Sequence, residues 1–387
     1  SFDGVDDYVN IGHSDNYGLE TTDELTIFAW IKADQIPNMY PHIIGAGSDG
    51  RKLQLWMFEN RKIEFRLVVG SNMAWVTTAS TLELDQWYHI AATYSSETGR
   101  RIYINGDFYN RNDAKISVFD SGFLLGDGVW ESFRLHNTHL CFIKQHINRL
   151  YDGANSIDIK IPLTKKELLN TIEKTIEKNN MYSDVHIRVI VSRGLKKTPY
   201  QHPDANTGDS TIVIIPEYKS ADTTVNKKGI TLSTVDIIRP DRFTQNPHIN
   251  SLSKFNCIAA CIQADKYGAN EALMLDKNNN VSTCNSTNFF IVNKNAVITS
   301  TGKYCLKGIT RQNIIDICKS NNIQVYEKDF SLDEVYNADE AFVTGTFAGV
   351  IPAVSLNNKK IGMGKPGKIT NKLFTLYKEK INLLYPS

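Results

Sequence analysis

Arg101-Ile-Tyr-Ile-Asn-Gly106 is the stretch on which the reading of this 387-residue chain turns. Alternating residues run into Asn-Gly, a pair that accepts the left-handed backbone of a tight turn, so a strand should end in a turn here. Upstream the pattern stays short and alternating. Leu25-Thr-Ile-Phe-Ala-Trp-Ile31 sets Leu25, Ile27, Ala29 and Ile31 on one face, and runs at 52–58, 62–69, 75–80, 87–94 and 101–104 are separated by Gly, Asn, Asp and Ser. Side chains alternate faces along a strand, so these runs predict an antiparallel sandwich. Its histidines, His13, His42 and His89, are scattered, with no Cys or paired acids nearby, and read as structural.

Downstream the period becomes helical. Thr164 followed by Glu167 predicts a capping box, and Leu168, Ile172 and Ile176 the apolar stripe of a helix through Lys178. The β-branched runs 186–192 and 211–216 suit buried strands. Helices are expected over 253–267, 310–320 and 370–384, and strands over 271–275, 288–292, 324–326 and 340–343. The strict βαβ rhythm of a doubly wound sheet is missing, so this part is assigned to the α+β class. The Gly-rich stretch Gly122–Gly128 precedes no clear helix and is weak as a dinucleotide fingerprint.

Charge marks the same seam. Residues 1–102 carry a balance of −6 and the remainder +7, giving +1 for the whole chain. No bulk field therefore recruits nucleic acid or a membrane surface. No apolar run approaches the roughly 20 residues that cross a bilayer. The chain opens on Ser1 without methionine, so the lack of a leader-type segment at its start is weak evidence about export. All six cysteines (Cys141, Cys257, Cys261, Cys284, Cys305, Cys318) follow the seam, with neither zinc-ribbon nor CxxC spacing. Six buried free thiols and no metal are expected, which suits a reducing, cytoplasmic location.

Three polar features stand out in the later part. Gly308-Ile-Thr-Arg311 opens a helix whose first N–H groups face an anion well. Thr344-Gly-Thr346 follows a strand and offers a tight turn with hydroxyl and N–H donors. Arg149, in His146-Ile-Asn-Arg149 on a helix, has the fork that holds two phosphate oxygens at once.

Phe2-Asp-Gly-Val-Asp-Asp-Tyr-Val9, Leu25–Ile31, Trp87-Tyr-His-Ile-Ala-Ala-Thr-Tyr94 and Arg101–Gly106 together resemble a laminin-G/concanavalin-like jelly roll. The resemblance implies glycan or protein binding at the cell exterior and carries over no binding residue. It stops early, which implies a truncated sandwich. From about Tyr103 the chain is similar to class IV, pyridoxal-phosphate-dependent aminotransferases of the branched-chain and D-amino-acid type. The match runs through Tyr103–Gly106, Ala114-Lys-Ile-Ser-Val-Phe-Asp-Ser-Gly-Phe-Leu-Leu-Gly-Asp-Gly-Val-Trp-Glu131, His146–Leu150, Gly308–Arg311, Ala338-Asp-Glu340 and Thr344–Thr346. Tyr-Ile-Asn-Gly is at home in both families, so a recombined fusion is expected to join them there. The expected organisation is multidomain: an incomplete all-β jelly-roll sandwich (1–102), then an α+β fold-type IV aminotransferase body with subdomains 103–230 and 231–387.

The resemblance implies the site. Arg149, Ile309, Thr310 and Thr346 would form a phosphate cup, and Leu306 would pack on the pyridine ring. Phe255 would stand where branched-chain enzymes have a tyrosine, and Phe123, Trp130 and Arg134 would line the substrate side. A homodimer is implied as well.

Two departures follow. The family's cofactor-bonding lysine falls at Asn250, whose amide neither captures an aldehyde nor carries a proton. The carboxylate partner of the pyridine nitrogen falls at Thr283, which cannot supply charge. Lys254, about one helical turn on, and His248, on the same face if that segment is extended, are candidate substitutes. The expected function is a class IV aminotransferase-like protein holding pyridoxal or pyridoxamine phosphate non-covalently. Its substrates would be small, branched-chain-like amino acids or keto acids, with ordinary transamination in doubt. The alternatives are a non-catalytic protein binding a phosphorylated ligand, and glycan binding through the β module.

Overall fold

The computed structural model describes residues 24–33, 42–46, 53–58, 60–69, 72–78, 81–95, 101–219 and 223–386. The chain divides into two compact units, Ser1–Gly99 and Arg100–Ser387. The proposed opening strand Phe2–Val9 and His13 lie outside the described residues.

The first unit is all-β. Strand β1 (Glu24–Ile31) pairs with β6 (Tyr88–Ser95), and β2 (His42–Ala46), β3 (Leu53–Met57), β4 (Ile63–Val69) and β5 (Asn72–Thr77) form an antiparallel meander. Leu55, Met57, Ile63, Phe65 and Leu82 are buried together, and Ile31, Tyr88 and Ile90 of the two-stranded sheet pack against them. Two sheets thus share one apolar layer, as the alternation requires.

In the second unit, β7 (Arg101–Ile104) and β8 (Asp107–Asn110) form the hairpin turned by Asn105-Gly106, both at positive φ. This hairpin pairs through β7 with β14 (Thr211–Tyr218), in the sheet order β10-β9-β11-β14-β7-β8, where β9 is Gly128–His136, β10 His139–Leu140 and β11 Val185–Ser192. The strand at the seam is therefore built into the second unit, and Arg101 N–H donates to Asn179 Oδ1 at 2.7 Å. Helix α1 (Ser121–Leu125) is a single turn that leads into β9. Helices α2 (Ile143–Asn155) and α3 (Lys165–Lys178) cover the sheet, with α3 started by the Thr164–Glu167 capping box. Leu150, Leu168, Ile172, Phe133 and Ile187 form the centre of this core.

After a two-residue ladder of β12 (Leu195–Lys196) with β13 (Asn206–Thr207), the chain enters a second layer through α4 (Thr223–Lys228) and β15 (Ile230–Thr234). Its nine-stranded sheet adds β16 (Glu271–Leu275), β17 (Val281–Cys284), β18 (Asn288–Asn293), β19 (Ala296–Thr299), β20 (Val325–Glu327), β21 (Glu340–Gly345), β22 (Gly349–Leu356) and β23 (Lys359–Lys360). β15 pairs parallel with β16 and β22, whereas most other ladders are antiparallel. Helices α5 (Phe255–Lys266), α6 (Ile309–Ser320), α7 (Leu332–Tyr336) and α8 (Lys368–Leu384) complete it. The cores of the two layers are distinct. No helix among the described residues is long and apolar enough to cross a membrane.

The cysteine expectation needs one correction. All six thiols are free, but only Cys141, Cys284, Cys305 and Cys318 are buried; Cys257 is half-buried and Cys261 exposed. Both exceptions sit on α5, whose outer face is not covered by the described residues.

Candidate active site

The site lies between the two layers of the second unit. Residues 250–252 are stitched onto β9: Trp130 N–H donates to Asn250 O at 2.9 Å, Leu252 N–H to Gly128 O at 2.9 Å, and Trp130 Nε1–H to Ser251 O at 3.2 Å. This brings the linker before α5 against the strand that carries Glu131.

Glu131 is fully buried on β9, and a buried carboxylate must find partners. Arg149, two turns into α2, donates from Nε to Oε1 at 2.6 Å and from Nη2 to Oε2 at 2.9 Å, and buried His146 donates from Nδ1 to Oε2 at 2.7 Å. Burial alone would raise the Glu131 pKa, but the hydrogen bonds from His146 and Arg149 and the guanidinium charge outweigh it and hold the carboxyl below its ordinary range. Burial depresses the His146 pKa, so this imidazole resists protonation despite its acidic partner. The third guanidinium nitrogen, Nη1, donates to Lys307 O at 2.8 Å. Arg149 is thereby fixed at the start of α6.

Helix α6 begins at an N-cap glycine, Gly308, with no side-chain cap. The first N–H groups of a helix have no intrahelical acceptor and carry its positive dipole end. Ile309 and buried Thr310 present them here, while the Thr310 hydroxyl bonds Tyr377 of α8. A Cβ on Gly308 would sit 2.1 Å from Asn288 Oδ1, so the glycine is what lets β18 approach. Asn288 Nδ2 donates to Leu306 O at 3.0 Å, and Asn288 pairs in register with Thr344. The Thr344 hydroxyl is buried and has no hydrogen-bond partner among the described residues. Thr346 begins the turn that follows β21.

At the other end, Asn250 is 8 % exposed and its Oδ1 accepts from Lys254 Nζ at 3.0 Å. Lys254 precedes the helix, with non-helical ψ of 10°, yet its side chain turns inward, its Nζ 5.5 Å from the centre of the Trp130 ring. Arg188 stands 4.4 Å from that ring. Burial lowers the Lys254 pKa from the ordinary lysine range; Arg239 and Arg149 also oppose its charge, while Cys257 and Glu131 favour it. Buried Thr283 donates to Thr287 O at 2.7 Å and faces no carboxylate through its own hydrogen bonds.

The structure corrects two sequence expectations. His248 does not share an extended face with Asn250: it sits in a turn, its Nε2 engaged with Gly302 O at 2.8 Å. Phe255 does not enter the site within this chain; as the first residue of α5 it points outward, 81 % exposed, while the preceding Lys254 takes the inward position. Phe123 on α1 is also exposed. Arg134 donates to Asp184 Oδ1 at 3.1 Å and to Phe347 O at 3.4 Å, and its buried Nε has no partner among the described residues.

Glu131 and His146 do not stand out in the sequence by themselves. Their signal is nonetheless present: an acid on the buried face of β9 and a histidine one helical turn before Arg149.

Residues 128–356 match the amino-transferase class IV family, and residues 3–135 match the concanavalin A-like lectin/glucanases superfamily. The later part of the second match, from 101 on, comprises β7, β8, α1 and most of β9 of the second unit. A putative branched-chain-amino-acid aminotransferase of Methanocaldococcus jannaschii is 37 % identical over 72 % of this chain and 96 % of its own length. A D-alanine aminotransferase of Listeria monocytogenes is 31 % identical over 73 % and 96 %. Among solved structures, the T.th. branched-chain amino acid aminotransferase with pyridoxamine 5'-phosphate superposes with a TM-score of 0.70 at 27 % identity, covering 74 % of this chain and 96 % of that one. With a laminin-G-like β region at its N-terminal end, this chain belongs to the class IV aminotransferase family.

Proposed function

We propose that the second unit binds pyridoxal or pyridoxamine phosphate, gripped by its phosphate, and acts on small branched-chain-like amino acids or their keto acids. One observation carries this: Arg149, locked by Glu131, bonds the carbonyl immediately before the uncapped start of α6. A guanidinium and a helix N-terminus converge there, and each alone favours phosphate. The unpartnered Thr344 hydroxyl in the neighbouring strand and the cradle kept open by Gly308 support the same fit. Arg149, the Ile309 and Thr310 N–H groups and Thr346 would hold the phosphate, and Leu306 would face the ring.

The bound cofactor supplies a carbonyl for the substrate amine and an electron-withdrawing ring. The chain's own residues modify that chemistry. Thr283 brings no charge to a ring nitrogen, so the electron sink is weak. Position 250 offers an amide, so no bond to the cofactor forms there. The names of the relatives support small apolar substrates, and Arg134 is proposed as a carboxylate partner.

Titration with pyridoxamine phosphate and with pyridoxal phosphate, followed by absorbance and fluorescence, tests the reading. Saturable binding, weakened about tenfold by Arg149→Lys, is expected, because a lysine keeps the charge but cannot hold both Glu131 oxygens and Lys307 O at once, so the cation loses its aim at the start of α6. Failure of the full chain to bind either vitamer overturns it. Asn250 and Thr283 together favour a second reading, a non-catalytic holder of a phosphorylated ligand. Turnover of any amino acid by the unaltered protein excludes that reading.

A homodimer is part of the proposal. The outward Phe255, Ile258 and Ile262 of α5 support it.

A further inference from the structure

Asn250 and Lys254 stand four residues apart, yet their side chains end together. An asparagine stops two bonds beyond its Cβ, well short of where a lysine amine would reach from the same backbone position. Lys254 makes up the difference from the opposite direction: its Nζ lies 3.0 Å from Asn250 Oδ1. The amine missing at position 250 is thus present at the tip of the residue that replaced it.

Its placement is fixed by more than this one contact. The linker that carries both residues is sewn to β9 by the bonds of Trp130 and Leu252, and the Trp130 indole is pinned through Nε1 to Ser251 O. The Lys254 ammonium lies 5.5 Å from that ring's centre. Among the described residues no carboxylate pairs with it; its acceptor is the neutral amide of Asn250. An amide oxygen accepts from –NH3+ and from –NH2 alike, so it does not hold the amine in its charged form as a carboxylate would. Desolvation works in the same direction. Surroundings that disfavour the charged form of a lysine are what an amine nucleophile requires.

Resting on the phosphate grip argued above, we propose that Lys254 is the amine that bonds the aldehyde carbon of pyridoxal phosphate, with Asn250 as its positioning residue. The C–N bond forms at Nζ, the carbon–oxygen bond breaks, and both protons of the neutral amine leave with that oxygen as water. No oxidant or reductant enters. This replaces the expectation of purely non-covalent binding: the covalent role is kept, and moves four residues along the chain.

The test is site mapping on the full chain. Protein equilibrated with pyridoxal phosphate is reduced with borohydride, which adds hydride across the carbon–nitrogen double bond and makes it permanent, then digested and sequenced by mass spectrometry. The expected result is one phosphopyridoxyl group, on Lys254. It should be lost in Lys254→Arg and Lys254→Met, both of which should still bind pyridoxamine phosphate, which has no aldehyde. Wild-type protein that binds pyridoxamine phosphate but carries no label, or carries it on a different lysine, overturns the proposal while leaving the phosphate grip intact. Wild-type protein that binds neither vitamer overturns the grip, and this proposal with it. A fall in pyridoxamine phosphate binding in Lys254→Arg as large as the fall in labelling would show a structural role and likewise overturn it.

Discussion

Glu131 grips Arg149 with both carboxylate oxygens, at 2.6 Å and 2.9 Å, and the carboxylate is itself cut off from water. A single strand residue therefore sets the aim of the Arg149 guanidinium, which bonds the carbonyl just before α6. Glu131→Gln keeps the volume but removes the charge, and places an amide NH2 against a cation. Breaking a buried pair on one side costs about 3–5 kcal/mol, and the lower end applies because Arg149 keeps 19 % exposure. Urea denaturation at pH 7 should show that loss, and pyridoxamine phosphate should bind more weakly as Arg149 loses its orientation. A variant of unchanged midpoint would mean that the pair contributes nothing to stability.

The histidines behind this pair set an acid limit. His186 is pushed down to about 4, first by burial and then by the charges of Arg188, Lys219 and Arg134; the His146 ring also faces it, and Phe347 meets it edge-on. An unfolded chain takes up a proton near the ordinary histidine value of about 6.5, whereas the folded chain does not until about pH 4. Protons thus favour the unfolded state across that window, so stability is full above pH 6.5 and falls as pH drops towards 4. His146, lowered by burial, adds to this, and depressed Glu131 extends the loss below its own unfolded value of 4.5. For His186 the loss should be about 2 kcal/mol after discounting its partial exposure. Thermal melts at pH 7 and pH 5 should differ for the wild type, and less for His186→Gln.

How much of this is legible in the sequence depends on the kind of signal. The Thr164–Glu167 box, the β-branched runs and the helix opening at Gly308 are local, and each appears where the residues place it. β2 and β9 do not read as strands; β9 follows a glycine-rich stretch, and its identity comes from the β11 ladder beside it. The role of Glu131 is set by α2, eighteen residues away, which no local pattern reports. Lys254 and Phe255 show the finest limit. A one-residue difference decides which side chain faces Trp130, and it is fixed by where α5 starts. His248 departs from expectation for the same reason: a turn, set by its bond to Gly302, replaces an extended segment.

Gly308 separates backbone geometry from charge. Its φ of −64° is open to any residue, so conformational strain is not the issue. The obstacle is space: a Cβ would lie 2.1 Å from Asn288 Oδ1 and 3.4 Å from Arg311 Cβ. Gly308→Ala must push Asn288 aside, which breaks its bond to Leu306 O and shifts the first turn of α6. Overpacking of this kind costs about 1–3 kcal/mol. Calorimetry should show that decrease, together with weaker pyridoxamine phosphate binding. Asn288→Ala combined with Gly308→Ala should recover part of the stability, because the clash is removed.

Helix α5 presents two unlike faces. Ala260 and Ala264 are buried against Ala272 and Met274 of β16, whereas Phe255, Ile258 and Ile262 point outward at 81 %, 53 % and 52 % exposure. The outward residues fall at i, i+3 and i+7, a continuous stripe and not scattered singles. An apolar stripe left in water is unfavourable, and burying each side chain returns about 1.5–3 kcal/mol, so a second copy that covers it would be stabilised. Ile258→Lys with Ile262→Lys puts two charges into that surface without touching the alanine face. Light scattering coupled to gel filtration should report a dimer for the wild type. The double variant should run as a folded monomer, with an association constant lower by at least about a hundredfold. A wild-type protein that is monomeric at the highest concentration reached would remove the homodimer from the proposal.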